Sequence, residues 1–294
     1  MNSSPDARRG ALFALLLPIL IWSYNWVVMK QVLAWIGPFD FSALRFVFGT
    51  LVLFALMLAR GQSLRPPPLG QTILIGLAQT AGFQALVQWA LVDGGAGRTA
   101  LLAYTMPFWV VLLAWWLLAD RPGPRQWLSI GIAALGLLFV LEPWRGVGGA
   151  LSATLAVAGG LCWALGTVLT KRLFLRGGVN ALSLTTWQMA FGSLALCMLA
   201  FATHDRPVEW SDSLLLALVY NAVLASGAAW LLWSWVVERL PANVVGLSSL
   251  AVPIVGIALA WALLGERPSA MESVGIALIA AALVVVNLRR PQNR

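Results

Sequence analysis

The chain has 294 residues, of which 60% are hydrophobic and 10% charged, with a net charge of +8. Soluble domains carry roughly 25% charged residues, so a soluble globular protein is excluded. Short connectors rich in Pro, Gly and charge leave no room for a water-soluble domain of useful size.

A membrane-spanning helix needs about 20 mostly apolar residues, because each residue rises about 1.5 Å across a hydrocarbon layer of about 30 Å. Ten stretches meet this or nearly do: 11–29, 41–59, 70–92, 98–119, 125–142, 150–170, 181–202, 214–237, 243–264 and 271–288. Strands of an outer-membrane barrel would be only about 10 residues long and would alternate polar with apolar. The fold class expected is an all-α integral membrane protein.

In the first stretch, Trp22 to Trp26 (WSYNW) follow Pro18, which removes a backbone donor. Asn25 lies near the outer end and must find a partner in the bundle or face water. Interfacial aromatics are its alternative reading, and Trp22, one turn deeper, is the better cavity candidate. A secretory signal is disfavoured, because the apolar run is long and lacks a small-residue cleavage pattern. The second stretch holds Arg45, five residues after Asp40. From that depth a guanidinium either snorkels to the surface or serves as a gate or as the cation for a substrate carboxylate.

The third stretch is the most polar. Thr72, Gly76, Thr80, Gln84 and Gln88 recur every four residues and define one stripe. Such a stripe does not face lipid; it packs on small residues or lines an aqueous path, and the four glutamines of this stretch (Gln71, Gln79, Gln84 and Gln88) favour the path. Gln79 and Phe83 offer an amide and a ring from an adjacent face. The fourth stretch places Tyr104 just before Pro107. A proline frees a carbonyl one turn earlier, which is tolerated at depth where it lines a cavity or meets another helix.

In the sixth stretch Trp163, Thr167 and Thr170 share a face, while Gly159, Gly160 and Gly166 permit close approach. Trp163 is midway along the helix, so an inward-facing ring is expected. Trp187 and Gln188 of the seventh stretch read as interior contacts. Asn221, Ser226 and Trp230 of the eighth stretch are candidates for one wall. The ninth repeats the pattern of the fourth: Ser248 and Ser249 precede Pro253, and PIVGIALAWALLGERP (Pro253 to Pro268) matches PFWVVLLAWWLLADRP (Pro107 to Pro122) in spacing and in its Leu-Ala-Trp triple. The short fifth and tenth stretches, with little polar at their centres, read as scaffold or as a dimer contact.

The doubled stretch indicates an internal duplication, with one five-helix repeat over 1–147 and a second over 148–294. Basic residues number thirteen on one side of the ten-stretch layout and five on the other, the larger set including Arg8, Arg9, Arg121, Lys171, Arg289 and Arg290. The positive-inside rule then puts both termini in the cytoplasm. Since five is odd, the second repeat enters the membrane inverted, a plan that recurs in secondary transporters with the site at the repeat interface. A duplication that merely builds a stable bundle is the alternative. The net charge calls for no nucleic acid.

Ten helices, paired repeats, and the LLADRP and LLGERP helix ends followed by a short glycine- and alanine-rich helix resemble the EamA family of the drug/metabolite transporter superfamily, over residues 10–288. Length, Trp content and the surroundings of Trp163 also resemble the YddG-type exporters of aromatic amino acids. The resemblance implies a central cavity lined by helices 1, 3, 4, 6, 8 and 9, with helices 5 and 10 peripheral. It implies a monomer or dimer in a bacterial inner membrane.

Absences narrow the mechanism. None of the eleven Asp and Glu residues is central in a helix and the single histidine, His204, falls in a loop, whereas proton relays use buried carboxylates or histidines. Cys162 and Cys197 sit inside helices, so no disulfide or metal site is expected, and no cofactor or catalytic motif is present. The function expected is alternating-access transport of neutral and aromatic amino acids, facilitative or weakly coupled, in the outward direction. The expected substrate contacts are Trp22, Gln79, Phe83, Gln84, Tyr104, Trp163, Thr167, Asn221, Ser248 and Ser249. Arg45 and Asn25 are expected to gate or to meet a carboxylate, and Pro107 and Pro253 to break their helices. A multidrug exporter of lipophilic cations, or a carrier of another small metabolite, is the alternative.

Overall fold

The computed structural model describes residues 5–141, 150–203, 206–241, 244–245, 248–249, 251–265, 267 and 269–287. His204, Glu266, Pro268, Arg289 and Arg290, all used in the sequence argument, lie outside them. Every regular element among the described residues is helical.

In chain order the helices are α1 (Pro5–Gln31), α2 (Pro38–Ala59), α3 (Leu69–Asp93), α4 (Ala96–Leu118), α5 (Pro124–Leu141), α6 (Ala150–Arg176), α7 (Ala181–Thr203), α8 (Asp212–Arg239), α9 (Ala251–Leu264) and α10 (Ala270–Asn287). Seven of them, α1 to α4 and α6 to α8, contain windows long and apolar enough to cross a membrane, and α9 and α10 are shorter apolar helices. The protein is a multi-pass membrane protein.

Local chemistry sets several helix starts. Pro38 opens α2 at a position whose N–H would be unpaired anyway. The Asn180 side chain accepts from the Leu182 and Ser183 N–H groups at 2.9 and 3.3 Å, and Ser211 accepts from Leu214 N–H at 3.2 Å. Ser269 and Glu272 cap α10 reciprocally, at 2.6 and 3.1 Å.

Two helices depart from α geometry midway. Gly76–Gly82 in α3 and Asn221–Ala228 in α8 are π-helical. The wider π turn offsets the ladder and changes which side chains share a face. α4 is interrupted at Tyr104 and Thr105, because Pro107 has no N–H to give the Ala103 carbonyl. Gly160 of α6 lies directly against that carbonyl, where a Cβ would sit at 2.5 Å.

The first five helices pack on the second five in a paired way. α1 lies on α8 and α9, while α6 lies on α3 and α4; α2 meets α8, while α7 meets α3. α2 also meets α7, α4 meets α9, and α5 meets α10. Exchanging the two sets maps this list onto itself. Ser129 near the start of α5 donates to the Ala282 carbonyl at 2.9 Å, and Gly136 further along faces Gly275, nearer the start of α10. The two helices therefore run antiparallel.

Candidate functional site

The aromatic residues converge at the centre of the bundle. Trp163 on α6 meets Trp22 on α1 at 5.4 Å, Phe83 on α3 at 4.8 Å, and Trp230 and Trp233 on α8 at 4.9 and 5.7 Å between ring centroids. Most of these contacts are edge-to-face, the arrangement favoured by the ring quadrupole. On the other side Trp26 stands 6.2 Å from Tyr104. Trp22, Trp26, Phe83, Tyr104, Trp163 and Trp230, together with Met29 and Met106, wall a central cavity into which Asn25, Arg45 and Gln84 also reach. Its volume is about 30 Å³, whereas one water needs roughly 10–15 Å³ on the same footing. The state seen is contracted, and an amino-acid-sized ligand enters only if the helices move.

The polar atoms around this cavity are incompletely paired. Arg45 is 1% exposed, so it points inward instead of snorkelling. Its guanidinium lies 4.9 Å from the Phe46 ring centroid, and its Nε donates to Ser226 Oγ at 3.4 Å. Its Nη1 has no partner. No carboxylate lines the cavity or is seen to pair with Arg45 among the described residues. Asn25 gives its Nδ2 to the Met29 sulfur at 3.1 Å but leaves Oδ1 unpaired, and Gln84 Oε1 and Trp163 Nε1 are likewise buried without partners. An unsatisfied buried polar group costs about 1–3 kcal/mol.

The π segment of α8 supplies the partners of Trp22 and Arg45. Ala225 offers its carbonyl to the Trp22 indole N–H at 2.9 Å, and Ser226 meets Arg45. Gly49, one turn along α2 from Arg45, allows this approach, since a Cβ there would lie 2.9 Å from the Ser226 Cβ.

The structure brings Trp22, Asn25, Arg45, Phe83, Gln84, Tyr104 and Trp163 together at the cavity wall. It puts the other expected contacts elsewhere. Gln79 Nε2 donates to Thr167 Oγ1 at 3.2 Å, with Gly166 closed against Gln79, so these two are an interhelical contact. Asn221 turns back to the Ala217 carbonyl at 3.0 Å. Ser249 is buried and Ser248 half-buried, but neither lines the cavity. Pro107 and Pro253 are both buried; the carbonyl before Pro253, Val252, accepts from Ser23 Oγ of α1 at 3.1 Å.

The expected α3 stripe divides at the π segment. Gly76 and Thr80 lie on α7, with Thr80 Oγ1 donating to Gln188 Oε1 at 2.9 Å, while Gln84 reaches the cavity. Gln88 donates to the Met29 carbonyl at 3.2 Å. Met29 and Met106 were not singled out from the sequence. The signals available were the spacing of Met29 three and four residues after Trp26 and Asn25, and the position of Met106 beside Pro107.

Two lysines secure the ends of the π-containing helices. Lys30 of α1 donates to the carbonyls of Leu91 (2.8 Å), Val92 (3.4 Å) and Gly94 (3.0 Å) at the end of α3. Lys171 of α6 donates to those of Val237 (3.0 Å) and Glu238 (3.1 Å) at the end of α8. Both meet the negative end of a helix dipole. Among the described residues no cluster of His, Cys, Asp and Glu could hold a metal, and Cys162 and Cys197 are free.

The model of the EamA-like transporter family matches the chain twice, over residues 8–142 and 150–288. Among similar proteins, a probable amino-acid metabolite efflux pump of Salmonella typhimurium is 28% identical over 296 positions that cover 95% of each chain. The protein of the same name in Escherichia coli is 27% identical, again over 95% of each chain. The transporter YoaV of Bacillus subtilis is 26% identical, covering 88% of this chain and 90% of its own. A crystal structure superposes with a TM-score of 0.76 at 24% identity, covering 95% of this chain and 98% of the other.

Proposed function

The chain belongs to the EamA-like transporter family, and from that premise we propose that it moves neutral amino acids with apolar or aromatic side chains outward across a bacterial inner membrane. The observation that carries this reading is the set of unpaired atoms in the central cavity. A zwitterion needs a cationic donor for its carboxylate and neutral acceptors for its ammonium. Arg45 Nη1 is the first; Asn25 Oδ1 and Gln84 Oε1 are the second. The surrounding rings suit an apolar side chain. Two relatives named as amino-acid metabolite efflux pumps point the same way.

The alternative, export of lipophilic cations, draws support from the rings around Trp163, which could stack on a cation. Arg45 opposes it. At an effective dielectric of about 20, two like charges about 5 Å apart repel by about 3 kcal/mol, and no carboxylate lines the cavity to offset this.

The architecture we infer is two inverted five-helix repeats, 1–147 and 148–294, spanning ten times with both termini cytoplasmic. The paired contacts between the halves, the antiparallel run of α5 and α10, and the double match to one family model support it. Alternating access then consists of rocking the two halves about the aromatic centre. Lys30 and Lys171 tie the ends of α3 and α8 on opposite faces, and release of one or the other opens that side. A monomer suffices for this cycle, and with no titratable carboxylate at the cavity wall it runs as a facilitator or exchanger.

The test is counterflow of labelled amino acids in proteoliposomes, with and without a pH gradient. Flux of neutral and aromatic amino acids, indifferent to the gradient, is expected. Transport of lipophilic cations with no amino-acid flux would overturn the reading.

A further inference from the structure

We infer that the chain holds a second subsite for the substrate carboxylate, in a crevice between the end of α1, the start of α2 and the end of α3. The inference rests on the amino-acid reading above and extends it. The crevice has a volume of about 380 Å³, within the roughly 300–1,000 Å³ of small-molecule sites. Its lining includes two cations, Lys30 and Arg206, and no acidic residue.

Both cations are held in place by backbone oxygens. Lys30 spends its donors on the carbonyls that end α3. Arg206 donates to the carbonyls of Leu33 and Ile36, the latter at 2.8 Å. These bonds position the charges, and the crevice lining holds no carboxylate. The Arg206 Nε is buried and has no partner, so one directed donor remains. The N-terminal turn of α2, with Pro38 and Phe39 in the lining, also carries Asp40, whose charge offsets the positive end of the helix dipole. Phe39 and Trp89 pair edge-to-face at 6.2 Å between centroids and form an aromatic wall. Cationic groups beside an aromatic wall are common to this crevice and to the central cavity, where Arg45 stands among rings.

The two sites follow one another along α1 and α3. On α1, Trp22, Trp26 and Met29 line the central cavity, and Leu33, four residues on, lines the crevice. On α3, Gln84 lines the first, while Trp89 and Val92 line the second. Between them in sequence, Gln88 donates to the Met29 carbonyl and forms one layer of contact from α3 to α1. Breaking that layer joins the sites along one groove. The crevice is thus a staging site on the side opposite the termini, entered or left as Met29 and Gln88 part.

The experiment is equilibrium binding of labelled L-phenylalanine to the full chain in nanodiscs of phosphatidylcholine, alone or mixed with anionic phosphatidylglycerol. Two molecules per chain are expected, with the weaker lost at least roughly tenfold in Arg206→Gln, since a charge-assisted bond is removed, and the tighter lost in Arg45→Met. One molecule per chain, unaffected by Arg206→Gln, would overturn the second subsite alone. Displacement of the second molecule by phosphatidylglycerol would overturn it in favour of a lipid headgroup site. Absence of all phenylalanine binding would overturn the substrate class, and the subsite with it.

Discussion

Where α5 meets α10, the buried Ser129 hydroxyl has its carbonyl partner at 2.9 Å, and Gly136 brings two backbones into contact. At the central cavity, Asn25, Gln84, Arg45 and Trp163 each keep a buried polar atom unpaired. Both regions are apolar in composition and both are shielded from water. The seam pairs its own polar atoms, whereas the cavity leaves donors and acceptors that we propose a solute meets. A family that carries solutes needs both kinds of interior, one to hold the halves together and one to be incomplete without cargo.

Substitutions separate the two interiors. The largest effect is expected from Trp163→Ala, which removes the ring at the centre of four others and costs about 3–5 kcal/mol. Thermal unfolding in detergent should drop sharply and flux should vanish, while Trp163→Phe retains the fold with reduced flux. Arg45→Met should weaken substrate binding roughly 10- to 100-fold, since charge-assisted bonds contribute about 1.5–3 kcal/mol. Its melting temperature should not fall, because a buried charge without a carboxylate is exchanged for an apolar chain of similar reach. A melting temperature that falls with affinity unchanged would make Arg45 structural.

Gly136→Val acts on the seam, where a Cβ would stand 2.7 Å from the Gly275 carbonyl. Overpacking of this kind costs about 1–3 kcal/mol, so stability should fall while the KM of the folded fraction stays the same. The smallest effect concerns Asp120, just beyond the end of α4. Burial pushes its carboxyl above the usual carboxylate range, and the charge of Lys171 draws it partly back. The folded state therefore holds this proton to higher pH than the unfolded state, and its stabilising contribution is lost as pH rises through the folded value. Asp120→Asn, which mimics the protonated form, should gain slightly on wild type as pH rises from acid to neutral in a series of melting curves.

Helix positions were legible because hydropathy and length act locally: α2 and α7 begin and end within a few residues of the expected stretches. The inward Trp163 was legible from its depth, and Arg45 was narrowed to two readings that burial now separates. The α3 stripe misled because a fixed spacing of four assumes an unbroken α-helix. No residue type announces the π segments Gly76–Gly82 and Asn221–Ala228. The first of them packs closely on its neighbours, Gly76 against α7 and Gln79 against Gly166 of α6. Gln79 and Thr167 looked like cavity residues for the same reason: a polar pair that satisfies itself across two helices has the same composition as one that awaits a ligand.

The central claim is that Arg45 selects a carboxylate, and the most direct measurement is competition for counterflow by three matched compounds: L-phenylalanine, phenethylamine and 3-phenylpropanoate. Wild type is expected to be inhibited most by L-phenylalanine, measurably by 3-phenylpropanoate and least by phenethylamine, and Arg45→Met to erase the preference for the two carboxylates. Phenethylamine competing as well as L-phenylalanine in wild type, with Arg45→Met unchanged, would contradict that claim.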